Sequence, residues 1–161
     1  MSGTILRSEA VKSQFPASSW QAVLFSEFSA TMLSQTRPYP CVFGVNGFKA
    51  DQLRYAFVDP MYAGEIAPAL DEYLPQARSF GPNTSLIVFS RPGPVAPLER
   101  YRRRFWDILA GLARQDDTPW PADIPEALGT PGWEFCFRGE PIFVVCNTPA
   151  ISFARAGARP P

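Results

Sequence analysis

The side chains of these 161 residues that could do chemistry are few and unevenly distributed by type. The chain contains no histidine, which removes Ser-His-Asp triads, Cys-His dyads and histidine-bound metal from consideration. Three cysteines, Cys41, Cys136 and Cys146, form no CxxC pair. Their odd number gives neither a zinc ribbon nor a full disulfide framework. Each lies in an apolar run, where a reduced thiol packs as a small hydrophobe. No residue set reads as a metal site. A general base would have to be Asp, Glu, Lys or Tyr. Asp59 and Glu134 stand at predicted strand edges beside aromatic residues, positions that suit either a perturbed carboxylate or an exposed strand end. Arg54 falls inside an apolar run and must pair or snorkel. Asn46 and Asn147 suit turns. Phe43, Tyr55, Phe57, Phe89, Trp133, Phe135 and Phe143 serve either as core or as walls for a flat hydrophobic cofactor. No catalytic residue can be assigned from these types and spacings.

Composition narrows the partners. Fifteen basic residues balance fifteen acidic ones, so there is no broad positive field of the kind duplex nucleic acid requires. All the basic residues except Lys12 and Lys49 are arginines, which suits planar carboxylate recognition. Arg100 to Arg104 wrap a predicted helix rather than forming one stripe, as a solvated charged face does. No apolar run approaches the roughly 20 residues of a membrane span, and the N-terminus lacks the pattern of a signal peptide. The expectation is a soluble, cytoplasmic protein with no nucleic-acid or membrane partner, open to a small-molecule substrate. Hydrophobic residues make up 46% of the chain, which fits one domain over residues 1–161 with a real core.

These residues must be positioned by the following elements. Residues 1–16 read as a loose lead-in. Ser18-Ser19-Trp20-Gln21 has the form of a capping box, opening a helix that runs through Ser34. Cys41–Val45 and Leu53–Val58 read as two strands of a hairpin reversing at Asn46-Gly47, bracketed by Pro40 and Pro60. A second helix is predicted from about Glu65 to Ala77, with Pro68 in its first turn and Pro75 ending or kinking it. Ser85–Ser90 reads as a strand buried on both faces. Leu98, Tyr101, Phe105, Ile108, Leu109 and Leu112 trace one stripe of a helix from about Pro97 to Gln115. Residues 116–132 form a long proline-rich loop that Trp120 and Ile124 can pin. A final hairpin pairs Trp133–Phe137 with Ile142–Cys146, and residues 148–161 form an irregular tail.

Taken in order, YPCVFGVNGFKADQLRYAFVD, the Pro-Gly-Pro loop after the Ser85–Ser90 strand, WDILAGLARQD, TPWPADIP and WEFCFRGEPIFVVCNTPA resemble the YqcI/YcgG family. The resemblance covers about Trp20 to Ala150, and PCVFG together with W-x-F-x-F-x-G-x-P-x-F is its distinctive part. It implies a relation to haem-dependent monooxygenases that hydroxylate a guanidine nitrogen of arginine or a related substrate. The implied cofactor is therefore haem, with a histidine as iron ligand near the position of Thr148 or Ile151. This chain carries no histidine there. Its tail from Ala154 departs from the family register, as a truncation or a frameshift would produce, and the activity is expected to be impaired. Cys146 is a thiolate ligand in principle only. The candidate cofactor-binding residues are Arg54, Tyr55, Trp133, Phe135, Asn147 and Arg155. The alternative is a non-catalytic binding or interaction domain whose open sheet edge is covered by a partner chain or a second copy. The expected fold is α+β, a mainly antiparallel sheet of about five strands with about three packed helices.

Overall fold

Parallel pairing between residues 53–58 and 85–90 sets the architecture of the first half of the chain. The computed structural model describes residues 4–149. These divide into two compact units, one made of residues 4–61 with 65–92, the other of residues 62–64 with 93–149. In the first unit, β1 (Leu53–Val58) pairs in parallel with β2 (Ser85–Ser90), Tyr55 opposite Ile87. On the other side of β1, Leu6 exchanges two hydrogen bonds with Tyr55, at 2.8 and 2.9 Å. Around this sheet lie α1 (Ser8–Gln14), α2 (Trp20–Leu33) and α3 (Val42–Lys49). The core is Val11, Phe25, Met32, Leu53 and Tyr55. Phe25 meets the Tyr55 ring edge to face at 4.9 Å, and Phe89 stacks on it at 6.4 Å.

The expected five-stranded antiparallel sheet is not what forms. The described residues make two small two-stranded sheets, one parallel and one antiparallel. The hairpin expected across Cys41–Val58 fails because its first arm is helical. A residue before proline is disfavoured from the helical region, so Pro40 discourages a helix from starting at Tyr39; Cys41 caps α3, its Sγ accepting from the Gly44 N–H at 3.3 Å. Val45 and Phe48, three apart, turn to the core, while Val42 and Phe43 are 68% and 72% exposed. That is a helical period, not an alternating one. Asn46 and Gly47 lie within the helix, and the reversal falls at Asp51, whose φ is 54°. With the hairpin lost, β1 takes β2 as its neighbour, and a parallel pair needs the crossover that the helical segment between them supplies.

That crossover departs from expectation in its prolines. In α4 (Ala63–Tyr73), Pro68 sits in the interior rather than the first turn, so one helical hydrogen bond is absent. At Pro75 the chain tightens into a short 3-10 turn, Leu74–Gln76, before α5 (Ala77–Phe80), as a residue without an N–H favours. Strand β2 is only half-buried along most of its length, not enclosed on both faces. Helix α2 is capped by Ser19, which accepts from the Ala22 N–H at 3.2 Å; this places the cap one residue beyond Ser18, so Gln21 does not complete a capping box. Within the stretch read as a lead-in, Ser8–Gln14 are helical.

The second unit holds α6 (Leu98–Gln115) and the hairpin of β3 (Phe135–Phe137) and β4 (Glu140–Ile142). Helix α6 buries Leu109 and Leu112 of the expected stripe, while Leu98 at its start is 55% exposed. The hairpin is shorter than predicted and its return arm starts earlier, Phe137 pairing with Glu140. Arg138 and Gly139 both take positive φ, 53° and 76°, the two-residue turn that matches strand twist. Asp116 fixes this turn by accepting from the Arg138 N–H at 2.6 Å. The loop over 116–132 carries no helix or strand, and the Trp120 indole N–H donates to the Ile124 carbonyl at 2.9 Å.

Candidate functional site

The residues read from sequence as cofactor contacts divide between the units. Arg54 and Tyr55 are adjacent in β1, so their side chains leave opposite faces of the strand. Arg54 is 7% exposed. Its Nη1 donates to the carbonyls of Asp51 and Leu53 at 3.0 and 2.7 Å, and its guanidinium lies 3.8 Å over the Phe80 ring. Burial disfavours its charge, and Asp51 partly offsets this. Tyr55 is fully buried in the aromatic core, and burial pushes its phenol above the usual range. In the second unit Phe135 is buried, Trp133 is half-buried with its ring 6.3 Å from that of Trp106, and Asn147 is exposed. Arg155 lies outside the described residues.

The first unit also carries a groove that sequence reading did not single out. Ser8, Glu9 and Lys12 of α1 form one wall, Phe25, Ser29 and Leu33 of α2 another, and Phe48, Lys49 and Asp51 the third. Its volume of about 490 Å³ falls in the range of small-molecule sites. It joins an apolar lining to charges of both signs. Asp51 is its best-placed carboxylate. The Arg7 guanidinium donates to Oδ2 through Nε at 3.1 Å and Nη2 at 2.6 Å. Desolvation raises the Asp51 pKa, but the Arg7 hydrogen bonds, Ser8 and nearby positive charge outweigh it and hold the carboxyl below its ordinary value. These residues escaped notice because α1 did not read as a helix, and without it Ser8, Glu9 and Lys12 share no face. The cue available was Asp51 itself, directly after the Lys49-Ala50 end of an apolar stretch, since Asp tolerates the left-handed backbone that reverses a chain.

Haem, the group implied by the family resemblance, does not fit the donors these residues provide. The chain has no histidine. The Cys41 sulfur caps α3. The Cys136 thiol is buried against the Glu134 carbonyl at 3.5 Å, and burial followed by the Glu134 charge pushes its pKa up. Cys146 borders a cleft of about 110 Å³ with Tyr101, Phe105 and Thr148, smaller than small-molecule sites usually are. Burial there raises its pKa as well, against the thiolate that iron ligation needs. No group of three or more Cys, Asp or Glu residues that could hold a metal ion occurs among the described residues. No helix among them is long and apolar enough to cross a membrane.

Comparison with known proteins supplies relatives. The chain is 38% identical over 160 residues to the uncharacterised protein YcgG of Bacillus subtilis (strain 168), covering 94% of this chain and 62% of that one. It is 36% identical over 160 residues to the uncharacterised protein YqcI of the same organism, with the same coverage. A more distant match, 26% over 147 residues, covers 85% of this chain and 54% of a Streptomyces lavendulae protein named "Putative N(omega)-hydroxy-L-arginine synthase DcsA". The chain thus spans 62% of the length of the two Bacillus relatives. No solved structure matches. The YqcI/YcgG family profile matches residues 28–159, and the chain belongs to the YqcI/YcgG family.

Proposed function

We propose that this chain derives from the guanidine N-oxygenating branch of its family, whose reaction is hydroxylation of a guanidine nitrogen of arginine or a related compound, and that these 161 residues alone do not perform it. The similarity to the Streptomyces lavendulae protein, over 147 residues, is the observation that carries the branch assignment. The donor inventory carries the second half. A haem group would supply the oxidising chemistry, and neither a histidine nor a poised thiolate is present to place its iron. What these residues contribute is a framework: a β1-centred aromatic core in the first unit and, beside it, a groove that joins carboxylates to apolar walls.

The test is to mix the purified chain with haemin, a reductant, dioxygen and L-arginine, and to analyse the products by mass spectrometry. The expected result is a broad, heterogeneous Soret band without hydroxyarginine, while arginine itself binds saturably. Hydroxyarginine formed with stoichiometric haem and a sharp single-ligand spectrum would overturn the donor argument. Absence of binding by arginine and other guanidino compounds would overturn the branch assignment.

A second reading, a non-catalytic interaction domain, is favoured by the segment after β4. Phe143 is 92% and Val145 59% exposed, two residues apart, as on the outer face of an extended edge. Sedimentation equilibrium of the chain and of a Phe143→Ser variant tests self-association, one form of this reading. A concentration-dependent dimer lost in the variant supports it, and an ideal monomer at all concentrations removes the second-copy form.

A further inference from the structure

Ile142, Phe143, Val144 and Val145 all favour strands, yet β4 ends at Ile142. The reason lies across the ladder, where Phe135 opens β3 opposite Ile142. Ahead of Phe135 the chain is turning: Gly132 takes a φ of 84°, and the Trp133 N–H donates to the Thr130 carbonyl at 3.0 Å. Residues 143–145 are therefore left with no β3 residue to pair with. Their backbone groups hydrogen-bond to no described residue. Phe143 stands almost wholly in solvent, and Val145 is exposed two residues on. A neighbouring strand would satisfy both features together. The rest of the unit is also open. Apart from Ala63, its buried apolar residues come from α6 and β3, while Val95, Leu98 and Leu128 are exposed. One helix and one hairpin are too little to close a core.

We propose that Phe143–Val145 is a strand-docking edge, and that it receives the part of a full-length YqcI/YcgG protein outside the match with this chain. The two Bacillus relatives carry over a third of their length there. A strand of that part pairs backbone to backbone with residues 143–145. Its apolar side chains cover Phe143 and Val145, which alternate onto one side of the edge. A second copy would bring only the same helix and hairpin, whereas the relatives' extra length can also cover the open side of this unit's core. The inference rests on the exposed edge of the interaction reading and names a different occupant; it requires no catalytic step.

The experiment co-expresses this chain with the part of Bacillus subtilis YcgG outside the match, made as a separate tagged polypeptide. The two are expected to co-purify in equal amounts, with amide exchange at residues 143–145 slowed roughly tenfold or more relative to the chain alone. Phe143→Ser combined with Val145→Ser should weaken the complex at least roughly tenfold. Both side chains are exposed, so the double variant keeps the unit's own packing. A YcgG segment that stays insoluble or unbound beside the chain would overturn the proposal. So would a complex indifferent to the double variant, or one without protection at residues 143–145. Protection already present in the dilute chain alone would show that its own residues cover the edge. Protection that grows with chain concentration would assign the edge to a second copy, refuting this occupant while upholding self-association. Neither haem nor arginine enters these readouts, so the guanidine reading stands or falls separately.

Discussion

Two glycines three residues apart in α3 should respond in opposite directions to the same substitution. At Gly44 an added methyl would meet the Cys41 sulfur and the Met32 methyl at 3.6 Å and Cys41 Cβ at 3.7 Å, all ordinary contact. Replacing glycine by alanine inside a helix gains up to about 1 kcal/mol, so Gly44→Ala should stabilise by roughly 0.5–1 kcal/mol. At Gly47 the same helical gain applies, but the methyl would lie 2.0 Å from the Asn83 carbonyl oxygen and 3.2 Å from Leu53 Cδ2. The first neighbour is backbone and cannot swing aside. Overpacking of this kind costs about 1–3 kcal/mol. Displacing the Asn83 segment also threatens the hydrogen bonds from Gln52 N–H to the Gly47 carbonyl and from Asn83 N–H to Gln52 Oε1, both 2.8 Å, at about 1 kcal/mol each. The net effect of Gly47→Ala is therefore destabilisation by about 1–4 kcal/mol. Urea unfolding followed by circular dichroism reads both, with the midpoint moving up for one variant and down for the other at unchanged slope. Shifts of the same sign would refute the placement of α3 against the Asn83 turn.

Other outcomes follow from the second unit and the thiols. Phe135 is 5% exposed, so Phe135→Ala should lower stability by about 3–5 kcal/mol in the same assay. Burial raises the Asp116 pKa, but hydrogen bonds from Thr118 and Arg138, with the Arg138 charge, outweigh it and hold the carboxyl below its ordinary value. A carboxyl depressed in the folded state stabilises above its unfolded pKa of about 3.9 and loses that contribution as pH falls through the folded value. Acid titration of stability should accordingly be shallower below about pH 4 in Asp116→Asn than in the parent chain, and parallel curves would contradict it. With Ellman's reagent, exposed Cys41 should react promptly, Cys146, accessible but with its pKa raised, more slowly, and buried Cys136 only as fast as the unit opens. A fast third thiol would show that β3 is not closed.

What could be read from the sequence depended on how long each pattern persisted. The α6 stripe from Leu98 to Leu112 repeats over several turns, so its period is unambiguous, and Leu109 and Leu112 are indeed buried. The five residues Cys41–Val45 are too few to separate a strand from a helix, and Asn46-Gly47 tipped the reading toward a turn. The residues that decide it, Val45 and Phe48, lie on either side of that dipeptide. The partner of β1 was hidden for a different reason: parallel pairing is fixed by what crosses between the strands, not by the strands' own residues. The charged residues that line the groove do not stand out in the sequence as a site. Their convergence depends on α1, a seven-residue helix, and local propensity alone is weak over so short a span.

The binding of the opening residues bears on how the chain emerges during synthesis. The Leu6 backbone is paired with Tyr55, and the Thr4 and Ile5 N–H groups donate to Glu72, for Thr4 across a separation of 68 residues. Because synthesis runs from the N- to the C-terminus, this segment leaves the ribosome before its partners do, and β1 and then Glu72 must follow before the edge can close. Until then Leu6 lacks its β1 partner, Val11, fully buried at the end, is covered by α2 alone, and both are open to chaperones or to nascent neighbours. Slowing translation over the codons for residues 15 to 55 would lengthen that interval without touching a single contact of the finished fold.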